Sequence, residues 1–238
     1  ADGWGDLKGK FVYTANIPTA SKLNITKDPE YCGRLQLVDE SLVINPKNKG
    51  IANIIVMMYL SRGKTTAVCP DLKPADKLVE INNAKCRFEP RISVVLAGQE
   101  FVIKNDDTIG HNTKIDTFAN ASSNDSVPAK GQMKTSFPKP ETLPTPVSCS
   151  IHPWMRGYLV IKDHPYVAVT DANGEFMIPK LPAGKLTIQF WQERTGYVEN
   201  VTIGGKKTKL RRGRMELTIK DNESLDLGAI QVGSDELK

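Results

Sequence analysis

The sequence predicts an all-β protein, and three observations predict it. Val, Ile and Thr recur in short runs bounded by Gly, Pro, Asn and Asp. Several of these runs alternate apolar with polar residues, the period of a strand with one face buried and one in water. Helical periodicity is scarce. At 238 residues the chain can hold one large β domain or two small ones. Its 39% hydrophobic and 25% charged residues are ordinary for a globular protein.

Three regions follow along the chain. Residues 1–75 carry a strand at Lys8–Tyr13, a loop with Pro18, Asp28-Pro29 and Cys32-Gly33, and a strand at Ile51–Leu60. That last segment is the longest apolar stretch, about half the ~20 residues a membrane span requires, so it reads as a buried strand and no span is expected. Residues 76–163 alternate through Phe88, Ile92, Val94 and Leu96, then Phe101–Ile103, and close with Tyr158–Ile161. Polar or Pro-rich loops are expected at Asn120–Lys130 and Phe137–Pro146. Residues 164–238 hold Val167–Thr170, Glu175–Ile178, Leu186–Trp191, Met215–Ile219 and Leu227–Val232. Asn173-Gly174 predicts a hairpin turn of type I′, which needs two positions tolerant of positive φ. The preceding Asp171 does not open a calcium loop, because the later acidic ligands are missing.

The net charge of +5 is mixed along the chain, and aromatics are only 7%. Nucleic-acid binding calls for a basic face with interleaved aromatics, so it is not expected. One basic cluster, Lys206, Lys207, Lys209, Arg211, Arg212 and Arg214, follows Gly204-Gly205 and marks a hairpin end. It reads as a solvated loop or as a dock for an acidic partner. The chain opens Ala1-Asp-Gly-Trp4 without an apolar leader. That is how a chain looks after a signal peptide is removed, though a trimmed sequence would look the same; the expectation is a periplasmic or secreted protein.

The chemistry concentrates in Val147-Ser-Cys149-Ser-Ile-His152-Pro-Trp-Met155-Arg-Gly-Tyr-Leu-Val-Ile161. Cys, His and Met stand three residues apart, just before an apolar strand. A thiolate and an imidazole on one tight loop grip a borderline-soft metal from one side, and Met adds a weak axial sulfur. One more nitrogen must come from elsewhere. The chain has three His. His111, after the Phe101–Lys104 strand and before Asn112, is the natural donor, whereas His164-Pro165 reads as a linker. Taken singly, a Cys or Met in a β protein is usually core. Together, Cys-x-x-His-x-x-Met with a distant His-Asn is hard to explain that way. Structural zinc prefers further Cys or His and does not use a thioether. Copper is therefore the expected cofactor, as a single centre.

On these residues, the segment 77–163 resembles a cupredoxin, nearest the amicyanin/plastocyanin group. Phe88-Glu-Pro90 through Lys104-Asn105-Asp106 resembles that family's core strands, Ile-Gly-His111-Asn112 its first ligand loop, and Cys149-Ser-Ile-His152-Pro-Trp-Met155 its short second loop. The resemblance implies a Greek-key sandwich and a type 1 (blue) copper. His111, Cys149 and His152 would form the strong plane, Met155 the long axial bond, and Asn112 would tie the two loops together. It also implies an electron exit at the His152 ring edge, with a docking patch of His152, Pro153 and Trp154. Trp154 could equally cap the core.

Too few His remain for the further copper centres of multicopper oxidases or nitrite reductases. No nucleophile triad, metalloprotease motif or phosphate loop is present either, so an enzyme is not expected. If Cys149 binds copper, Cys32, Cys69 and Cys86 are left, which allows one disulfide in an oxidising compartment or three free thiols. The sequence does not choose among the three pairings; Cys32–Cys86 is the favoured one, since it would staple the first region to the copper domain.

Val167 through Phe190, with Asp171-Ala-Asn-Gly174 and Leu181-Pro-Ala-Gly184, resembles a carboxypeptidase regulatory-like (transthyretin-like) β-sandwich. The strands that open such a sandwich have counterparts at Gly9–Tyr13 and Ala52–Leu60, before the copper region. Residues 1–75 and 164–238 are thus expected to form one discontinuous sandwich with the cupredoxin inserted, an arrangement tolerated when the insert's ends lie close together. The expected function is single-electron transfer between redox partners, such as a c-type cytochrome or a dehydrogenase. The alternative is a copper-binding or sensing module in which copper is cargo.

Overall fold

A computed structural model describes residues 3–61, 63–72 and 78–237. The expected boundary at 75/76 lies outside them. Apart from two short 3₁₀ turns, Cys32–Leu35 and Arg211–Gly213, the regular structure among the described residues is β. The chain divides into two compact units: residues 1–20, 40–73 and 166–238 form one, and residues 21–39 and 74–165 the other.

The first unit is built on strands from both ends of the sequence. Trp4–Tyr13 pairs antiparallel with Glu175–Pro182 (Lys8 opposite Met177) and parallel with Ser224–Val232 (Phe11 opposite Ile230). Ile55–Met58 lies between Val167–Val169 and Gly184–Gln192, with Val56 opposite Phe190. All four residues of Ile55–Met58 are buried, as an apolar run without alternation requires. On Trp4–Tyr13 the inward positions are Leu7, Phe11 and Tyr13. Phe11 from one sheet meets Phe190 from the other edge-on at 5.2 Å and Phe176 at 5.9 Å. The two sheets therefore share one aromatic core.

Details depart from the sequence reading where backbone conformation overrides apolar content. The expected strand Ile51–Leu60 is regular only over Ile55–Met58, because Asn53 sits at φ +62°. The Asn173-Gly174 turn is not of type I′: only Gly174 has positive φ, +80°. Asp171 organises it instead, its carboxylate accepting the N–H groups of Asn173 (2.8 Å) and Glu175 (2.9 Å). The strands on either side belong to different sheets, so the turn is a corner between sheets. Lys206, Lys207 and Lys209 lie on the strand of a real hairpin, Asn200–Ile203 with Lys206–Lys209, and are exposed.

The second unit has two sheets. One runs in the order Ile92–Leu96, Arg156–Lys162, Thr145–Ser148, His111–Ile115, Ser123–Val127. The other runs Arg87–Glu89, Val79–Ala84, Glu100–Asn105, Gln132–Ser136. Parallel pairs occur in both, with Val160 opposite Val94 and Ile81 opposite Ile103. Ile81, Phe101, Ile103, Ile115, Val147, Leu159 and Ile161 fill the core, which continues into Cys149 and Met155.

Two expectations need correction here. Part of the supposed loop Asn120–Lys130 is the strand Ser123–Val127, whose polar sequence hides it and whose pairing with His111–Ile115 makes it. Segment 21–39, expected with the N-terminal strands of the other sandwich, belongs to this unit. A disulfide between Cys32 and Cys86, 54 residues apart, fastens it there.

Candidate metal centre

Cys149 to Met155 forms the connection between the paired strands Thr145–Ser148 and Arg156–Lys162. Two backbone bonds close it: Met155 N–H donates to the His152 carbonyl (2.9 Å), and Cys149 N–H to the Met155 carbonyl (3.3 Å). His111 arrives from the neighbouring strand, where it is the first residue of His111–Ile115 and not a loop residue. Among the described residues, one group of potential metal ligands comes together: His111, Cys149 and His152, all buried, with donor atoms within 4.8 Å of one another. The two Nδ1 atoms lie 2.9 Å apart, and Cys149 Sγ lies 3.6 Å from His152 Nδ1. Met155 is 1% exposed in the same core cluster.

Asn112, on the same strand as His111, bonds to the Cys149 loop. Its Oδ1 accepts the N–H groups of Ser150 (2.8 Å) and Ile151 (3.2 Å) and lies 3.2 Å from Cys149 Sγ. Its Nδ2 donates to Asn124 Oδ1 and Ser150 Oγ.

Sequence reasoning missed the groups behind the imidazoles. His111 Nε2 is 2.8 Å from Asp107 Oδ2, and His152 Nε2 is 2.8 Å from Asp28 Oδ2. A carboxylate accepts, so Nε2 donates in both rings and Nδ1 is the nitrogen turned toward the centre. Two ring nitrogens facing each other at 2.9 Å hold either a shared proton or a bound cation between them. Metal–nitrogen bonds of about 2.0 Å and metal–sulfur bonds of about 2.3 Å span donor separations of roughly this size. The residues present fit a soft, N,N,S-bound ion.

Asp107 is fully engaged. Its oxygens accept from His111 Nε2, Cys86 N–H (2.9 Å), Lys85 N–H (2.6 Å) and the Tyr31 hydroxyl (2.8 Å). Lys85 and Cys86 form the two-residue turn between Val79–Ala84 and Arg87–Glu89, at φ +53° and +55°. Such a turn ordinarily uses Asn or Gly. Here Asp107 and the Cys32 disulfide hold two unfavoured residues in it. Burial alone would raise the Asp107 carboxyl, but the bonds from His111, Cys86, Tyr31 and Lys85 outweigh it and bring the pKa to about 2. Burial would lower His111, and the bonds to Asp107 and Cys149 win, raising it. Burial likewise raises the Cys149 thiol, yet the bonds from His111 and His152 bring it down to about 5.

The expected docking patch is built differently. His152 is 0% exposed, its outer nitrogen taken by Asp28, so its ring edge does not reach the surface. Trp154 is half-buried, with its indole N–H on the Cys86 carbonyl (3.2 Å) and its ring 5.2 Å from that of His152. Pro153 and Ile151 remain exposed. His164 is buried at 3% exposure and stands outside the donor group.

No family model matches the chain, and no curated protein does. Among solved structures it is similar to a reduced Cu(I) form of amicyanin: 22% identity, 37% of this chain and 86% of that one, TM-score 0.32. A purple cupredoxin from Nitrosopumilus maritimus shares 18% identity over 34% of this chain and 97% of that one, TM-score 0.29. A Cu-containing nitrite reductase from Thermus scotoductus SA-01 shares 16% identity over 44% of this chain and 25% of that one, TM-score 0.33. The donor geometry, and not these likenesses, carries the reading that follows.

Proposed function

We propose that this chain binds one copper ion at His111, Cys149, His152 and Met155 as a type 1 centre and transfers single electrons between redox partners. The observation that carries this reading is the convergence of two imidazole Nδ1 atoms and the Cys149 sulfur in a buried site, each imidazole held from behind by a carboxylate. Copper bound there supplies a one-electron Cu(I)/Cu(II) couple, which this mixed nitrogen and sulfur set accommodates in both states. The protein's part is to hold the donors still. Asn112 pins the Cys149 loop, Asp107 and Asp28 fix the ring orientations, and burial excludes water. A rigid donor set rearranges little as an electron passes.

The chain reads as a carrier and not as an enzyme, and its partner as a redox protein such as a c-type cytochrome or a dehydrogenase. The Cys32–Cys86 disulfide supports an oxidising, extracytoplasmic compartment, periplasmic or secreted. No helix among the described residues is long and apolar enough to cross a membrane. The first unit, which we read as transthyretin-like, would serve as a binding or spacer module. Purified protein given Cu(II) is expected to show an intense visible charge-transfer band and reversible one-electron reduction. Colour that survives Cys149→Ser would refute the ligand assignment. Tight Cu(I) binding without a reversible couple would instead favour copper as cargo.

A further inference from the structure

The turn Asp28–Cys32 touches the support of the metal centre at three points. Asp28 Oδ2 accepts from His152 Nε2 at 2.8 Å. The Tyr31 hydroxyl donates to Asp107 Oδ1 at 2.8 Å, and the other oxygen of Asp107 holds His111. Cys32 is bonded to Cys86, whose N–H donates to Asp107 Oδ2. The turn is rigid in itself: the Asp28 carbonyl accepts the N–H groups of Tyr31 (3.0 Å) and Cys32 (2.8 Å). Asp28 sits at φ +46°, in the left-handed region that costs most side chains about 1 kcal/mol or more and that Asp tolerates better than most. These residues lie more than 50 positions before either ligand loop, yet both imidazoles depend on them.

We propose that this turn is a disulfide-anchored clamp, in which Asp28 and Tyr31 are positioning residues that fix His152 and His111 with Nδ1 toward the metal and close the centre to solvent and to direct contact with a partner. The proposal rests on the copper reading and adds what governs the centre. A carboxylate behind an imidazole makes the facing nitrogen a stronger donor, and loss of such a partner typically weakens metal binding 10- to 100-fold. The stronger donor favours the more highly charged Cu(II). Because Asp28 occupies the outer nitrogen of His152, a partner approaching that ring meets the clamp before the imidazole.

The test compares the full-length protein with Asp28→Ala, Asp28→Asn and Tyr31→Phe. In the metal-free state, nitrogen NMR is expected to find His152 protonated on Nε2 in the wild type and mixed between tautomers in Asp28→Ala. With copper, Asp28→Ala is expected to bind Cu(II) at least tenfold more weakly while Cu(I) affinity changes less. A tenfold difference between the two states raises the potential by about 59 mV. Asp28→Asn keeps the shape and an acceptor oxygen, so it should fall between. Tyr31→Phe removes one hydroxyl and should give a smaller shift of the same sign. Wild-type tautomer, Cu(II) affinity and potential in Asp28→Ala would overturn the clamp while leaving the copper reading intact. A wild type that gives no charge-transfer band with Cu(II) would overturn the copper reading, and the metal-free tautomers would still decide whether Asp28 positions His152.

Discussion

His111 and His152 face each other across 2.9 Å, Nδ1 to Nδ1, with each Nε2 committed to a carboxylate. The pair has no comfortable resting state without a positive charge between the rings. A shared proton relieves the repulsion, but a metal ion relieves it and binds the Cys149 thiolate as well.

Metal removal should therefore destabilise the second unit. Ligand that binds only the folded state adds about 4 kcal/mol at a thousandfold excess over its dissociation constant. Thermal unfolding followed with and without copper, then after stripping with a chelator, is expected to show that gain and its loss. Cys149→Ser should abolish most of it. Equal unfolding midpoints for copper-loaded and stripped protein would mean that these residues do not form a metal site.

Asp107→Asn should cost about 3 kcal/mol, in the range for breaking one partner of a buried charged network. The substitution replaces an oxygen with an amide that cannot accept, among four donors already in place. It also withdraws one of the two oxygens that hold Lys85 (Oδ1) and Cys86 (Oδ2) at positive φ. Chemical denaturation of metal-free protein measures the difference; a loss under 1 kcal/mol would show that the turn is held by the disulfide alone.

The clustered residues were legible in the sequence because Cys149 and His152 lie on one loop at fixed spacing and the chain has few His to supply the third. The carboxylates behind them were not. Asp107 left a faint trace, four residues before His111 in a strand-end loop. Asp28 left none, since 124 residues separate it from His152 and only the folded backbone joins them. The same limit explains Ser123–Val127: a polar edge strand is made by its neighbour's hydrogen bonds, which no local pattern records. Apolar runs such as Ile51–Leu60 were legible as buried, while the ends of the strand within, Ile55–Met58, depended on single residues like Asn53 in a left-handed conformation.

Lys162 should make the second unit more stable in mild alkali. Burial lowers its pKa from the ordinary 10.5 to about 8, against the opposing charges of Asp163 and Glu141. Between those values the unfolded chain binds more protons than the folded one, so unfolding free energy rises with pH. The stability is fully present above about 10.5 and is lost as pH falls through about 8. Relative to Lys162→Met, the wild type is expected to gain up to about 3 kcal/mol across that window. A pH-independent difference between the two would show that the ammonium is not penalised where it sits, with its Nζ on the Glu141 and Thr142 carbonyls.

The sheet corner of the first unit offers a separate test, independent of any metal. A Cβ on Gly50 would lie 1.9 Å from the Asn173 carbonyl oxygen, and one on Gly174 would lie 2.4 Å from that of Phe11. Both obstacles are backbone, so neither can rotate away. The Gly174 carbonyl also accepts Phe11 N–H at 2.9 Å, and the glycine's φ of +80° disfavours any side chain. Gly50→Ala and Gly174→Ala should each cost more than about 2 kcal/mol, as overpacked or strained positions do. Differential scanning calorimetry of copper-loaded protein is expected to show a lowered transition for the first unit in either variant while the visible absorption stays unchanged. Wild-type melting in Gly50→Ala would mean that the Asn173-Gly174 corner does not pack against Gly50 in solution.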